Sequence, residues 1–382
     1  MFNNYNYSKE TAIRIPVNTV EIFHAGEEYW YSHSPFLAYF KDQFVVMWLV
    51  NKLHEEEDGQ DILLTYSKDF LHWTKPVKFP VDDKYRTEGL IHPGGFLVNG
   101  DELNLYFSYY EWTDNTVTGS ERKDFSHKNT KMFCITTKDL VNFSEPIDMN
   151  LDMQMVLPPQ RTSTGKLIGG GMFTFPWTDD PNGIHGFKKA GYLPEEVYEN
   201  YPDHSQSFYE VGKYVGLEVH LMEASLMDYG DGRLKMLLRS RDNRNFVQLE
   251  NELYTREVGD NLYASDSTDG VHWSPIYRTD FTNNDSKFNA GRLSDGRFYI
   301  VSNPNRLGLR LPLAISLSED GETFDKHYII REDFNNIRNM GRWKQYGCQY
   351  PYTMEHDGWL YVVYSVCKED VHISRISLQD LK

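Results

Sequence analysis

Short apolar segments separated by turn residues run along most of the chain. Three follow one another near the N-terminus, PFLAYF at 35–40, QFVVMWLV at 43–50 and DILLTYS at 61–67. The segment FLVNGDELNLYFSYYEW at 96–112 is typical of a hairpin that turns at Asn99 and Gly100. Only LPEEVYENY, at 193–201, has the pattern of a helix. The pattern therefore predicts an all-β chain of short strands and tight turns.

One complete unit of this pattern occupies residues 290–324. Strands are predicted at 298–301 and 313–317, and a turn containing Ser318, Asp320, Gly321 and Phe324 closes the unit. In such a turn the serine and aspartate accept from local backbone donors, glycine takes the positive-φ position and the aromatic ring anchors the loop. The same turn recurs as Ser267, Asp269, Gly270 and Trp273, and without glycine as Ser67, Asp69 and Trp73 and as Thr137, Asp139 and Phe143.

The spacing of the four turns indicates a repeat architecture. Their first residues are 70, 130 and 51 positions apart, and the longest gap fits two units. Repeats of this length that consist of short strands are typical of β-propeller blades. We expect one domain over 1–382, a six-bladed propeller with blades at about 34–76, 90–146, 156–209, 218–275, 290–324 and 350–378, and an irregular insertion around 155–215. Seven blades are the alternative, and a strand at 12–17 is expected to complete the last blade and close the ring.

Composition limits the choice of partner and compartment. The formal net charge of −17 argues against nucleic acid and anionic membranes as partners, although a few arginines can create a local positive field. The three cysteines, Cys134, Cys348 and Cys367, form no CxxC pair and are predicted to be buried thiols. The N-terminus shows no basic region followed by an apolar stretch, so we expect a cytoplasmic protein unless a signal peptide has been removed.

The four turns resemble the Asp boxes of sialidase-like propellers, and the resemblance extends from about residue 32 to 364. Glu223, then Asp231 and Gly232, then Arg239 resemble the family's glutamate, turn and second arginine. Arg310 resembles the third arginine, with Arg306 as a competitor, and Tyr350 resembles the tyrosine nucleophile. The resemblance implies that Arg239 and Arg310 bind a carboxylate while Glu223 takes the proton of Tyr350.

The N-terminal half departs from the family pattern. His33 stands where the resemblance implies the first arginine; protonated it would bind an anion, and neutral it would serve as an acid or base. Arg14, in an Arg-Ile-Pro sequence, lies too far before the first blade to be that arginine. The proton donor is sought in the acidic loop 55–58, and counting back from the Asp-box serine favours Glu55. An unpaired carboxyl crowded by like charges would have a raised pKa, which suits a general acid.

Two further candidates for substrate binding are Asp58, in the same acidic loop, and His92, which follows the entry into the second blade. The function expected from all these residues is an exo-acting glycosidase that removes a terminal, acidic sugar from an oligosaccharide or glycan. A lyase that acts on uronate-containing glycans and a sugar-binding propeller without catalysis are the alternatives. No cofactor and no catalytic metal are expected.

Overall fold

The computed structural model describes residues 2–4, 7–114, 116–117, 122, 126–204, 211, 214, 219–242 and 260–382. Their strands form six sheets. Among these residues, no helix combines the length and the apolar character that a membrane span requires.

The strands follow one another sheet by sheet. β1 (Ile13–Arg14) and β2 (Asn18–Phe23) precede the first sheet, which contains β3 (Tyr31–Phe40), β4 (Gln43–Asn51), β5 (Asp61–Ser67) and β6 (Val77–Lys78). The helix α1 (Lys84–Thr87) leads into the second sheet, with β7 (Leu90–Asn99), β8 (Glu102–Trp112), β9 (His127–Thr137) and β10 (Ile147–Asp148). The third sheet contains β11 (Leu157–Arg161), β12 (Leu167–Gly170) and β13 (Trp177–Thr178), and α2 (Glu195–Asn200) follows it.

The C-terminal half contains the other three sheets. The fourth consists of β14 (Val219–Asp228), β15 (Leu234–Asp242), β16 (Asp260–Ser267) and β17 (Tyr277–Asn283). The fifth contains β18 (Asn289–Arg292), β19 (Phe298–Ser302), β20 (Leu313–Ser318) and β21 (Lys326–Arg331). The sixth contains β22 (Cys348–His356), β23 (Trp359–Val366) and β24 (Asp370–Ser377).

The first strands of the six sheets form a closed ring. In chain order β3, β7, β11, β14, β18 and β22 each contact the next, and β22 contacts β3. The fold is therefore a six-bladed β-propeller, and the alternative of seven blades is wrong. The third blade is the smallest and least regular, as the sequence predicts for the region 155–215.

The hydrophobic core is divided among the interfaces between neighbouring blades. Six clusters of buried apolar side chains each join two adjacent sheets, so every blade packs on both of its neighbours. Cys134, Cys348 and Cys367 are buried and free, as predicted. Because a blade buries its faces only against its neighbours, closure of the ring is required for a complete core.

The four repeated turns have the same hydrogen-bond pattern, which confirms the repeat. In each turn the Oδ1 atom of the aspartate, Asp69, Asp139, Asp269 or Asp320, accepts from the backbone N–H groups two and three residues later, at 2.8–3.0 Å.

The backbone of these turns explains why two copies lack the glycine of the sequence pattern. Gly270 and Gly321 have φ values of 74° and 75°, and Phe70 and Leu140 take the same conformation at 70° and 63° without being glycine. The turn geometry is thus retained where the glycine is lost.

The N-terminal strand differs from the expectation. The predicted strand at 12–17 does not close the last blade, because β1 pairs in parallel with β21 of the fifth blade. The strand that adds to the sixth blade is β2, which is antiparallel to β24. Arg14 forms an ion pair with Glu332 at this edge, at 2.7 Å, far from any central position.

Replacing Phe324 by Ala should lower the free energy of unfolding by about 3–5 kcal/mol, because a fully buried ring would leave a cavity. The ring packs on Phe2 and Phe281 at centroid distances of 5.0 and 5.5 Å. Urea denaturation measures the change. Val141→Ala, in an equivalent turn but 77% exposed, is the control and should change stability by no more than about 0.5 kcal/mol. Equal effects of the two substitutions would contradict the anchoring role of the aromatic ring.

Candidate functional site

Irregularities in the first strands direct side chains towards the centre of the ring. The ladder shifts register next to Glu223 in β14 and next to Tyr350 in β22, and these residues have φ values of 55° and 57°. Similar shifts occur after His33 in β3 and after Pro93 in β7. β-Bulges bend a strand and re-aim a side chain, and non-glycine residues at positive φ are strained, so both features are typical of functional sites.

Glu223, Tyr350 and Arg239 meet as the resemblance implies. The Tyr350 hydroxyl donates to Glu223 Oε1 at 2.5 Å. Arg239 Nη1 donates to Glu223 Oε2 at 2.5 Å and to the Tyr350 oxygen at 2.9 Å. Glu223 and Arg239 lie on the paired strands β14 and β15 of the fourth blade, and closure of the propeller brings Tyr350 of β22 to them.

The electrostatics of this group favour a carboxylate next to a neutral phenol. Burial raises the pKa of Glu223, but the charge of Arg239 opposes it and the net pKa is lowered. Burial and the charge of Glu223 raise the pKa of Tyr350 well above its ordinary value. At neutral pH Glu223 is therefore ionised and is positioned to take the phenolic proton.

Asp285 holds the other side of Arg239. Its Oδ1 atom accepts from Nε and Nη2 of Arg239 at 2.8 and 2.5 Å, and its Oδ2 atom accepts from Arg241 Nε at 2.8 Å. The guanidinium of Arg239 is therefore already bound by Asp285, Glu223 and Tyr350. These bonds occupy four of the five N–H groups of Arg239, so the grip on a substrate carboxylate that Arg239 and Arg310 are expected to share stays a prediction.

Arg310 has a buried N–H donor, on Nε, that no acceptor in the described part of the chain satisfies. Nη1 donates to Gln349 Oε1 and Nη2 donates to the Asp285 carbonyl at 3.0 Å, whereas buried Nε has no partner among the described residues. Its backbone lies against Gly347, where a Cβ would approach the Arg310 carbonyl oxygen to 2.4 Å, so the contact requires glycine. The competing Arg306 donates to Asn261 at 3.0 Å. Burial lowers the pKa of Arg310 to about 10, which leaves it charged at neutral pH.

His33 lies against Tyr350, with ring centroids 3.8 Å apart. Nδ1 is 3.0 Å from Ser365 Oγ, and Nε2 is buried without a partner among the described residues. Burial and the charge of Lys368 hold the pKa of His33 well below its ordinary value. A lowered pKa favours the neutral ring, so we retain the role of His33 as an acid or base, and anion binding by the protonated ring stays a prediction.

The acidic loop reaches the site through Glu55. Lys368 Nζ donates to Glu55 Oε2 at 2.5 Å, so Glu55 is not the unpaired carboxyl that the sequence led us to expect. Asp58 accepts from Trp112 Nε1 at 3.0 Å and lies 3.7 Å from Arg122 Nη2. A role of Asp58 in substrate binding stays a prediction.

His92 is buried in β7 and is not hydrogen-bonded to the central carboxylates. Its Nδ1 atom lies 3.0 Å from the Pro93 carbonyl oxygen. Burial and the charge of Lys287 lower the pKa of His92 to about 4, so it is neutral at neutral pH. His92 therefore lies near the centre of the propeller, where a neutral imidazole would contribute hydrogen bonds and no charge.

Sequence reasoning missed three charged residues of the site, Asp285, Lys287 and Lys368. Asp285 and Lys287 lie in the segment between β17 and β18, and Lys368 lies in the turn between β23 and β24. The available signal was weak: a polar run, Asn283 to Lys287, directly before an innermost strand.

A cluster of three candidate metal ligands lies outside this site. Glu21, His24 and Asp370 are close enough to share an ion. The guanidinium of Arg338 contacts both His24 and Asp370, so a cation would have to compete with it. The cluster therefore gives no support for a metal centre.

Comparison with known proteins identifies the family. A family model described as a BNR repeat-like domain matches residues 42–362, and the chain belongs to this family. A comparison with curated proteins finds no match.

Several solved structures share the fold. One described as a sialidase has a TM-score of 0.61 and 21% identity over 99% of this chain, which spans 34% of that protein. A Trypanosoma rangeli sialidase in complex with sialic acid has a TM-score of 0.61 and 12% identity, with coverages of 96% and 60%. A Dyadobacter fermentans protein of unknown function has a TM-score of 0.63 and 15% identity, with coverages of 95% and 100%. At these identities the likeness shows the fold alone.

Replacing Asp285 by Asn should lower the free energy of unfolding by about 3–5 kcal/mol, because Arg239 and Arg241 would lose their buried counter-charge. Burial raises the pKa of Asp285, but Arg239 and Arg241 lower it to about 2. Its stabilising contribution should therefore be complete above about pH 4 and disappear as pH falls through about 2.

Urea denaturation between pH 2 and pH 7 measures both effects. Glu332→Gln, which breaks the exposed ion pair with Arg14, is the control and should cost no more than about 1 kcal/mol. A neutral effect of Asp285→Asn at pH 7 would contradict the bridging role of this carboxylate.

Proposed function

We propose that the protein is a glycosidase that removes a terminal, acidic sugar and uses Tyr350 as its nucleophile. The observation that carries the proposal is the 2.5 Å hydrogen bond from the Tyr350 hydroxyl to Glu223, with Arg239 bound to both. A phenol that points its proton at a buried, ionised carboxylate is activated for attack. Two sialidases of known structure share the fold, and their activity is extended to this chain only as part of this proposal.

The proposed reaction proceeds in two displacements. Glu223 takes the phenolic proton while the Tyr350 oxygen bonds to the anomeric carbon, and the bond from that carbon to the leaving oxygen breaks. Glu55 is our candidate for the acid that protonates the leaving oxygen, and in that role it carries a proton instead of its ion pair with Lys368. Water then attacks the same carbon and passes a proton to Glu55, the bond from that carbon to the Tyr350 oxygen breaks, and the departing oxygen recovers its proton from Glu223. The outcome is hydrolysis with retention at the anomeric carbon.

A tyrosine nucleophile fits an acidic sugar better than a carboxylate would. A neutral phenol approaches an anomeric centre beside a negative group without charge repulsion. Since His33 stands where the family resemblance implies an arginine, we expect poor affinity for sialosides and better affinity for other acidic sugars.

A lyase is the second candidate, and the position of His33 favours it. The Ser365 hydroxyl donates to the Gln349 carbonyl at 3.4 Å, so its oxygen accepts from Nδ1–H of His33. The unpartnered Nε2 then carries a lone pair next to Tyr350. A neutral imidazole in this position would remove the proton beside a uronate carboxylate.

Replacing Tyr350 by Phe should reduce turnover of acidic aryl glycosides by several powers of ten and leave the fold intact, because one hydroxyl is lost. Release of the aryl group is measured at saturating and limiting substrate. Tyr352→Phe, two residues along the same strand, is the matched control and should retain activity. Undiminished turnover by a folded Tyr350→Phe variant would overturn the proposal.

The reaction products distinguish hydrolysis by a glycosidase from elimination by a lyase. Elimination from a uronate-containing oligosaccharide yields an unsaturated sugar that absorbs in the ultraviolet, whereas hydrolysis yields none. We expect reducing sugar without ultraviolet absorbance from wild-type protein. Absorbance that is lost in His33→Asn would establish the lyase, and sugar binding without any product would indicate a binding module.

A further inference from the structure

Two buried lysines flank Tyr350 and take no part in the proposed displacement. Lys287 Nζ and Lys368 Nζ lie 5.9 and 5.7 Å from the centroid of the Tyr350 ring. Their residues are 4% and 3% exposed, and lysine is rarely so deeply buried unless it is paired. Their presence therefore requires an explanation.

The two ammonium groups have N–H donors that are not used in hydrogen bonds within the part of the chain that the structure describes. Lys287 Nζ donates to the Val156 carbonyl at 2.5 Å, and Lys368 Nζ donates to Glu55 at 2.5 Å. An ammonium has three N–H donors, so most of these donors lack an acceptor among the described residues. Lys287 in particular has a neutral oxygen and the Phe36 ring, 4.7 Å away, as its nearest partners.

The centre as a whole has a surplus of positive charge. Around Tyr350 the described network contains three carboxylates, Glu55, Glu223 and Asp285, and five cations, Arg239, Arg241, Arg310, Lys287 and Lys368. The chain has a net charge of −17, so this surplus is local and opposite in sign to the whole protein. A buried surplus of this kind is expensive unless an anion enters.

The two lysines also place positive charge near His33, the residue that stands where the family resemblance implies an arginine. The charges of both Lys368 and Lys287 reach the His33 ring and contribute to its lowered pKa. Because His33 is neutral, it supplies no charge for an anionic sugar. Within the described network, two cations of the centre form no hydrogen bond with a carboxylate. Lys287 donates to a backbone carbonyl, and Arg310 has an Nε donor without a partner among the described residues.

We propose that Lys287 and Lys368 bind an oxyanion of the substrate beside Tyr350 and thereby select sugars that carry a carboxylate or a sulfate ester. The choice of a sugar rests on the proposed glycosidase, whereas the oxyanion site itself does not. A lysine ammonium is a compact point charge with rotatable donors, unlike the planar fork of arginine. The site should therefore accept oxyanions of different shape.

Binding of sodium sulfate and sodium glucuronate, measured by isothermal titration calorimetry at constant ionic strength, tests the site without turnover. Lys287→Met should weaken binding about tenfold to a hundredfold, the loss expected for one charged hydrogen bond. Lys368→Met should do the same. Weaker binding of glucuronate alone would assign the site to carboxylates, and weaker binding of sulfate alone would assign it to sulfate esters.

The matched control is Lys235→Met, which removes another buried lysine and the same charge. Lys235 donates to Asp266 and Tyr277 at 2.9 and 2.6 Å, within the fourth blade. This variant should bind both anions as the wild type does. Unchanged affinity in folded Lys287→Met and Lys368→Met, or a lower kcat with unchanged affinity, would overturn the inference and leave the glycosidase proposal standing.

The pH dependence of wild-type binding supplies a readout that does not depend on folded variants. Burial lowers the pKa of Lys287 and of Lys368 to about 8. Both lysines lose charge as pH rises through about 8, so affinity should fall between pH 7 and pH 9. The charged and titratable groups that face them are Glu55, Glu223, Arg239, Arg310, His33, His92, Tyr31 and Tyr350.

Constant affinity up to pH 9 would assign anion binding to the arginines and overturn the inference, as would the absence of any binding to the wild type. Anion binding by a protein that turns over no glycoside would retain this inference and remove the glycosidase proposal. The two proposals therefore fail separately.

Discussion

The buried ion network around Arg239 is the interaction on which the centre of the propeller depends. Arg239 reaches Glu223 of the same blade, Tyr350 of the sixth blade and Asp285 in the segment between the fourth and fifth. Each of these charges would be costly if buried alone, and each is compensated by another member. Closure of the ring brings the Tyr350 hydroxyl of the sixth blade to Arg239 and Glu223 of the fourth, and it pairs Lys368 of the sixth blade with Glu55 of the first. Closure also completes the apolar interfaces, so the core and the site form together.

The shape of the site follows from one local device that is used in several blades. A bulge in the first strand turns Glu223 and Tyr350 inwards at positive φ, and similar register shifts follow His33 and Pro93. Proline follows close behind in three of these strands, as Pro35, Pro93 and Pro351. Proline cannot donate to the ladder, which confines it to edges and bulges within sheets. These prolines are a sequence signal for the inward-facing residues.

The fold was predictable from the sequence because its information is local and repeated. Each Asp-box turn satisfies its own backbone donors, as Asp269 and Asp320 do. The spacing of these turns therefore indicates the length of the repeat, and no distant contact has to be known. Most of the site residues that the sequence analysis named lie on the strands of the blades, among them Glu223, Arg239 and Tyr350. Asp285 and Lys368 lie in connections, where side-chain direction depends on tertiary packing and no periodic pattern applies. The pairing of β1 with β21 was missed for the same reason, since two residues carry too little pattern to choose a partner.

The choice of a phenol at position 350 also sets the charge of the site. With Glu223 ionised and the pKa of Tyr350 raised by burial, residue 350 is neutral before reaction, so it cancels none of the surrounding positive charge. A carboxylate in its place would add a negative charge within about 6 Å of four cations, Arg239, Arg310, Lys287 and Lys368, whose distances to the ring centroid are 6.0, 5.5, 5.9 and 5.7 Å. Those cations would then be held by the protein and not by a ligand. A neutral side chain at position 350 therefore preserves the local positive field on which the proposed binding of an acidic sugar depends, in a protein whose overall charge would repel that sugar.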